Sequence, residues 1–155
     1  MRAVHEVIFG VPMDRVLTIL TTFEDYPDFL PSMVQARVLS REERVWEVAF
    51  RVDVIRPLDY TLRLTLERPD PAGVVRLRWS LVEGVFRSNE GGWTLTPIDG
   101  GARTHARYEI DVQVGVYVPG TIVNTLVERT LPATLEAFRT RAERPLADPT
   151  SAPSP

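Results

Sequence analysis

Side chains able to do chemistry are few in this chain. Two histidines, His5 and His105, carry its only imidazoles, the groups whose ordinary pKa lies near neutrality. There is no cysteine, which removes a thiol nucleophile, thiolate metal sites and disulfides together. Extending the alternation of the last strand back from Ala106 puts His105 on its wet face, while His5 sits in a short strand whose register the pattern leaves open. Both read as ordinary strand histidines. No His-Glu-x-x-His, phosphate-loop or dinucleotide-binding glycine motif occurs, and no serine stands in a Gly-x-Ser-x-Gly elbow. Two-carboxylate hydrolysis needs a pair of inward acids, and the clean strands carry none on their apolar faces. These residues assign no catalytic side chain, no metal and no cofactor.

The remaining polar candidates are handles rather than reagents. Tyr60 and Tyr108 fall on inward strand positions. A buried Tyr hydroxyl usually finds a partner, which here is a ligand carbonyl, the backbone or water. Arg56 and the stretch Arg87-Ser88-Asn89-Glu90 lie near loops, either as a pocket rim or as solvated turn charges. Trp46, Trp79 and Trp93 also point inward, to wall a cavity or to fill it.

Strands must position these groups. Trp46, Val48, Phe50, Val52 and Val54 alternate with more polar neighbours. So do Leu58, Tyr60, Leu62, Leu64 and Leu66, then Val75, Leu77, Trp79 and Leu81, then Ala106, Tyr108, Ile110, Val112 and Val114. Period two sends alternate side chains to opposite faces, so these are half-buried strands of an antiparallel sheet with one wet face. Val4 to Phe9 is a further short strand, and turns fall at Pro69–Gly73 and Asp99–Gly101. Val11-Pro12-Met13-Asp14 opens a helix carrying Val16, Leu17 and Leu20, and a second short helical turn lies between Glu24 and Pro31. From Val118 to about Glu143 an apolar stripe of Ile122, Leu126, Val127, Leu131, Leu135 and Phe138 predicts one long helix, bent where Pro132 removes a backbone bond. The connection from Val114 to Gly120 is a hinge for a gate or an ordinary link.

So apolar a sheet face must be covered, and the terminal helix is the only long cover. A helix is about 10–12 Å across, whereas strands spaced about 4.8 Å apart make a curved sheet much wider. The mismatch leaves a very bulky core or a cavity, and cavities lined by hydrophobic and aromatic groups are the usual small-molecule sites. The 155 residues suit one domain, here 1–144, with 145–155 as a disordered Pro-rich tail. A net charge of −3 gives no global field for nucleic acid. No apolar run is long enough to span a bilayer and no signal core opens the chain, so a cytoplasmic location is expected.

The run Phe23-Glu24-Asp25-Tyr26-Pro27-Asp28-Phe29-Leu30-Pro31 resembles the signature of the START-like (SRPBCC) superfamily, in its coenzyme Q-binding and polyketide cyclase/dehydrase and lipid transport branch. Val11-Pro12 before the first helix, Gly84-Val85-Phe86 followed by Gly92-Trp93-Thr94-Leu95, and Leu131-Pro132 in the last helix agree in order, covering residues 2 to 143. The resemblance implies an α+β helix-grip fold: about seven antiparallel strands gripping a long C-terminal helix, with two short helices after the first strand. It also implies an apolar cavity between sheet and helix that binds and transports or chaperones a quinone, lipid or polyketide-like molecule. The residues facing that space are then Tyr26, Phe29, Leu30, Trp46, Phe50, Tyr60, Leu62, Trp79, Leu81, Phe86, Trp93, Tyr108, Ile110, Val118, Ile122 and Leu126. Transient membrane contact is expected of a lipid carrier. Two alternatives follow from the same resemblance. A polyketide aromatase/cyclase would need directional polar groups within. A ribosome-associated toxin-like protein would use Arg37, Arg41, Arg51, Arg63, Arg76 and Arg78 on the outer face, a patch that Glu47, Asp53 and Asp59 dilute.

Overall fold

Alternation folds most of the chain into one sheet. In the computed structural model, which describes residues 1–115 and 118–145, seven antiparallel strands run in the order β1-β7-β6-β5-β4-β3-β2. They are β1 (Arg2–Phe9), β2 (Met33–Glu42), β3 (Val45–Val54), β4 (Arg56–Leu66), β5 (Val75–Gly84), β6 (Phe86–Ile98) and β7 (Arg103–Val114). Register follows the apolar faces: Phe50 pairs with Tyr60, Leu64 with Trp79, Leu77 with Trp93, and Trp93 with Tyr108. On the opposite face Arg51 pairs with Asp59 and Arg63 with Glu47, both as register neighbours and as exposed ion pairs. Such exposed pairs contribute little, because water screens them and ordering two long side chains opposes them. The inner face carries the energy, because a fully buried Phe or Leu contributes about 1.5–3 kcal/mol, and Phe9, Phe23 and Leu20 are fully buried.

Between β1 and β2 lie α1 (Met13–Thr21), a 3₁₀ turn (Phe23–Asp25) and α2 (Tyr26–Phe29). Pro12 precedes α1 in extended conformation, and Asp14 stands in its first turn, where a negative charge favours the helix dipole. Val16 and Leu20 bury the inner side of α1. Thr18, Thr21 and Thr22 return their hydroxyls to the carbonyls four residues back.

The strand β2 has no clean alternation to announce it. It is an edge strand, with register shifts at Met33/Gln35 and Val38/Ser40 and with Val34 and Leu39 exposed. Bulges of this kind suit sheet edges. The β5–β6 turn needs glycine: Gly84 has φ 133°, and a Cβ there would stand 2.5 Å from Asp59 O and Tyr60 Cα.

The terminal cover departs from a simple proline bend. It consists of α3 (Gly120–Thr125), a π-helical stretch (Leu126–Thr130) and α4 (Leu131–Glu143). Pro132 lies in the first turn of α4, where a missing N–H costs little, and the backbone N–H of Leu131 bonds back to Leu126 O. The wide turn takes up the discontinuity, as π-bulges do. Val118 is buried just before α3. Residues 116 and 117 of the expected hinge, and 146–155 of the expected tail, lie outside the described residues.

Candidate functional site

The sheet, the terminal helix and α2 enclose one aromatic-walled cavity of about 130 Å³. Drug-sized ligand pockets run from about 300 to 1,000 Å³, and an apolar cavity of about 150 Å³ takes up benzene. Side chains therefore fill most of the trough, and the residual void has the size of a ring.

Of the residues expected to face this space, Tyr26, Leu30, Phe50, Tyr60, Leu62, Trp79, Phe86, Trp93, Tyr108, Ile110 and Leu126 line the cavity. Five do not. Phe29 sits outside against Phe138 and the Arg141 guanidinium. Trp46 is buried behind Phe23, with Arg41 over its ring. Leu81 packs half-buried against the core, and Val118 and Ile122 are buried in it. The walls also include Ser32, Met33, Val52, Leu64, Leu77, Asn89, Thr130, Leu131, Thr134 and Phe138. Val52, Leu64 and Leu77 stood on inward positions of recognised strands, and Leu131 and Phe138 stood in the helical stripe. Ser32, Met33, Thr130 and Thr134 gave no signal.

Aromatic rings form a continuous belt around the void. From Phe86 the contacts run through Tyr60, Phe50, Tyr26, Phe138, Trp93 and Tyr108 to Trp79, with centroid separations between 5.0 and 6.0 Å. Glycine makes one end possible. Gly91 pairs with Trp79 across β5 and β6, and a Cβ on it would lie 2.8 Å from Trp79 Cζ2 and 2.2 Å from Glu109 O. The indole, lying over Gly91, donates from Nε1 to Asn89 Oδ1 at 3.1 Å. Indole nitrogen only donates, so the facing atom of Asn89 must be its oxygen.

Asn89 is buried while Arg87 and Glu90 are exposed, because a register shift between Phe86 and Ser88 resets the alternation of β6. Arg56, also expected at the rim, is exposed at the start of β4 and does not line the cavity. Among the described residues no charged side chain lines the void. No group of His, Asp or Glu among them could hold a metal ion.

The polar lining is neutral. Tyr26 donates its hydroxyl to Leu20 O, whereas the hydroxyls of Tyr60 and Tyr108 have no hydrogen-bond partner among the described residues. Burial pushes all three phenols above their ordinary range, Tyr26 and Tyr108 with smaller contributions from neighbouring tyrosines. Thr130 and Thr134 line the same space without the back-bond to the helix that Thr125 makes.

The histidines stay outside. His105 is half-buried on the outer face, 3.6 Å from Glu6, and His5 is half-buried on the inner side of β1 without lining the cavity. The outer arginines are largely paired: Arg51 with Asp59, Arg63 with Glu47, Arg76 with Asp70, and Arg78 with Glu67. Among the described residues, no helix is long and apolar enough to cross a membrane.

A family described as polyketide cyclase / dehydrase and lipid transport matches residues 9–139. Among solved structures, a STAR-related lipid transfer protein from Xanthomonas axonopodis superposes with a TM-score of 0.80 at 19% identity, covering 92% of this chain and 86% of that one. A START superfamily protein from Mycobacterium smegmatis gives 0.74 at 21%, covering 92% and 97%. An aromatase/cyclase from Streptomyces sp. R1128 gives 0.76 at 23%, covering 93% and 94%. At these identities the likeness is one of fold. No curated protein matches.

Proposed function

Because the chain belongs to the polyketide cyclase/dehydrase and lipid transport family, we propose that it binds a hydrophobic small molecule between sheet and terminal helix and carries or shelters it unchanged. The observation that supports this most is the ring-sized void walled mainly by aromatic and aliphatic side chains, with no charged group among the described residues of its lining. Burial of apolar ligand surface then supplies the affinity, at about 25 cal/mol per Å² before the costs of association. The lining has hydrogen-bond donors but no base: its phenols are held neutral by burial, and proton transfer works best from a group poised near the working pH.

Purification from the native host followed by solvent extraction tests the reading. A neutral hydrophobic compound recovered in a fixed ratio to protein, unaltered by incubation, is the expected result. Recovery of the protein without any such compound, together with no binding across a panel of quinones and lipids, overturns it.

A second reading, cyclisation of a poly-ketone chain, draws on the unpartnered hydroxyls of Tyr60 and Tyr108. It predicts product formation in vitro that disappears when both become Phe.

A further inference from the structure

Three features of the cavity bear on which hydrophobic molecules fit. The belt of rings from Phe86 to Trp79 favours a flat, π-bearing guest, because offset and edge-to-face contacts between rings add to simple burial. The hydroxyls of Tyr60 and Tyr108 are donors with no acceptor among the described residues. Asn89 adds a third donor, since its oxygen is taken by Trp79 and its amide hydrogens are not. Finally, no cation among the described residues lines the void, so a carboxylate or phosphate placed there would be buried without a counter-charge from them, at high cost.

We infer that the cavity selects compact, neutral ring compounds bearing carbonyl oxygen, with Tyr60 and Tyr108 donating hydrogen bonds to that oxygen, in preference to hydrocarbons or fatty-acid anions. This deepens the carrier reading and rests on it. Neutral phenols are donors throughout the physiological range, and burial keeps these two protonated well beyond it. A hydrocarbon of the same shape would strip the hydroxyls of solvent and return nothing. A lost neutral hydrogen bond is worth about 0.5–1.5 kcal/mol. Two of them make a difference of about tenfold or more in affinity.

The test uses a matched set of probes: 1,4-naphthoquinone, naphthalene and decanoate, each titrated into the full-length isotope-labelled protein and followed by NMR. The chain has neither cysteine nor lysine for a quinone to alkylate. The expected result is naphthoquinone binding at least about tenfold more tightly than naphthalene, with decanoate the weakest. In a Tyr60→Phe/Tyr108→Phe variant that preference should shrink to under about threefold, with naphthalene bound more tightly than before because no hydroxyl is left to strip of solvent.

Equal binding of quinone and hydrocarbon by the unmodified protein, or tightest binding of decanoate, overturns the ligand class and leaves the carrier reading standing. Retention of the full preference in the double variant overturns the role of the two tyrosines. If none of the three binds, the ligand class is overturned, and the carrier reading is decided by the solvent extraction and the wider panel of quinones and lipids. Should the variant fail to fold, comparison of the three probes on the unmodified protein still decides the ligand class.

Discussion

Tyr26, Tyr60 and Tyr108 line one cavity, yet they stand in different chemical positions, and substitution separates them. Tyr26→Phe removes the donor to Leu20 O and should cost about 1 kcal/mol, or about 2–4 °C in melting temperature for a chain of this length. Tyr60→Phe and Tyr108→Phe remove no bond among the described residues and should stay within about 0.5 kcal/mol in urea denaturation. A loss at Tyr108 as large as that at Tyr26 would reveal a partner there. All three phenols are raised above the ordinary value of 10.0, so the unfolded chain gives up these protons at lower pH than the folded one. Their contribution to stability is complete below about pH 10 and falls as pH rises above it. Phenolate absorbance from these residues should therefore appear only together with loss of circular dichroism. Gly91 is the other sensitive point. A Cβ 2.2 Å from Glu109 O and 2.8 Å from Trp79 Cζ2 should make Gly91→Ala destabilising by about 1–3 kcal/mol and shift the fluorescence of Trp79. Tyr60 and Tyr108 were legible in the sequence because their strands alternate without interruption, whereas Tyr26, in α2, entered only through the family resemblance. Asn89 was only placed near the rim, because the register shift at Phe86/Ser88 resets the phase and leaves no mark in the order of residues.

Among elements, the terminal helix was legible in extent but not in its break. The apolar stripe runs through Ile122, Leu126, Val127, Leu131, Leu135 and Phe138, and because Val127 stands four residues before Leu131 the spacing stays helical and does not announce the π stretch at Leu126–Thr130. The sequence reading attributed the bend to Pro132, whereas the wide turn precedes the proline and leaves it in the first turn of α4. A proline in a helix interior costs about 3 kcal/mol. Here Pro132→Ala should gain well under about 1 kcal/mol, because the wide turn just before it has already broken the regular four-residue hydrogen-bond ladder. A gain near the full mid-helix figure would mean that the π turn does not relieve the proline. Strand β2 escaped the sequence reading for a different reason. As an edge strand with two register shifts and with Val34 and Leu39 exposed, it has no single buried face to impose a period of two.

At the scale of the whole molecule, the width of the sheet against the girth of one helix was the physical problem that the sequence posed. The fold answers it mostly with large side chains, Phe23, Phe50, Trp46 and Trp93 among them, and leaves about 130 Å³ open. An unfilled apolar void forgoes the packing contacts its walls would otherwise make. A guest that fills it recovers part of that energy, and so would a larger side chain, which sets stability against binding. Leu62 lines the void and is 7% exposed. Leu62→Phe should occupy the space, raise stability by about 1 kcal/mol and the melting temperature by about 2–4 °C, and weaken binding of a ring-sized apolar guest at least about tenfold. A fall of the 1–3 kcal/mol typical of overpacking would mean that the space is not free to be filled. A rise in melting temperature with guest affinity unchanged would place the binding site elsewhere on the molecule. Only higher stability together with lost binding fits a cavity kept open for its occupant, because the same volume cannot hold both the phenyl ring and the guest.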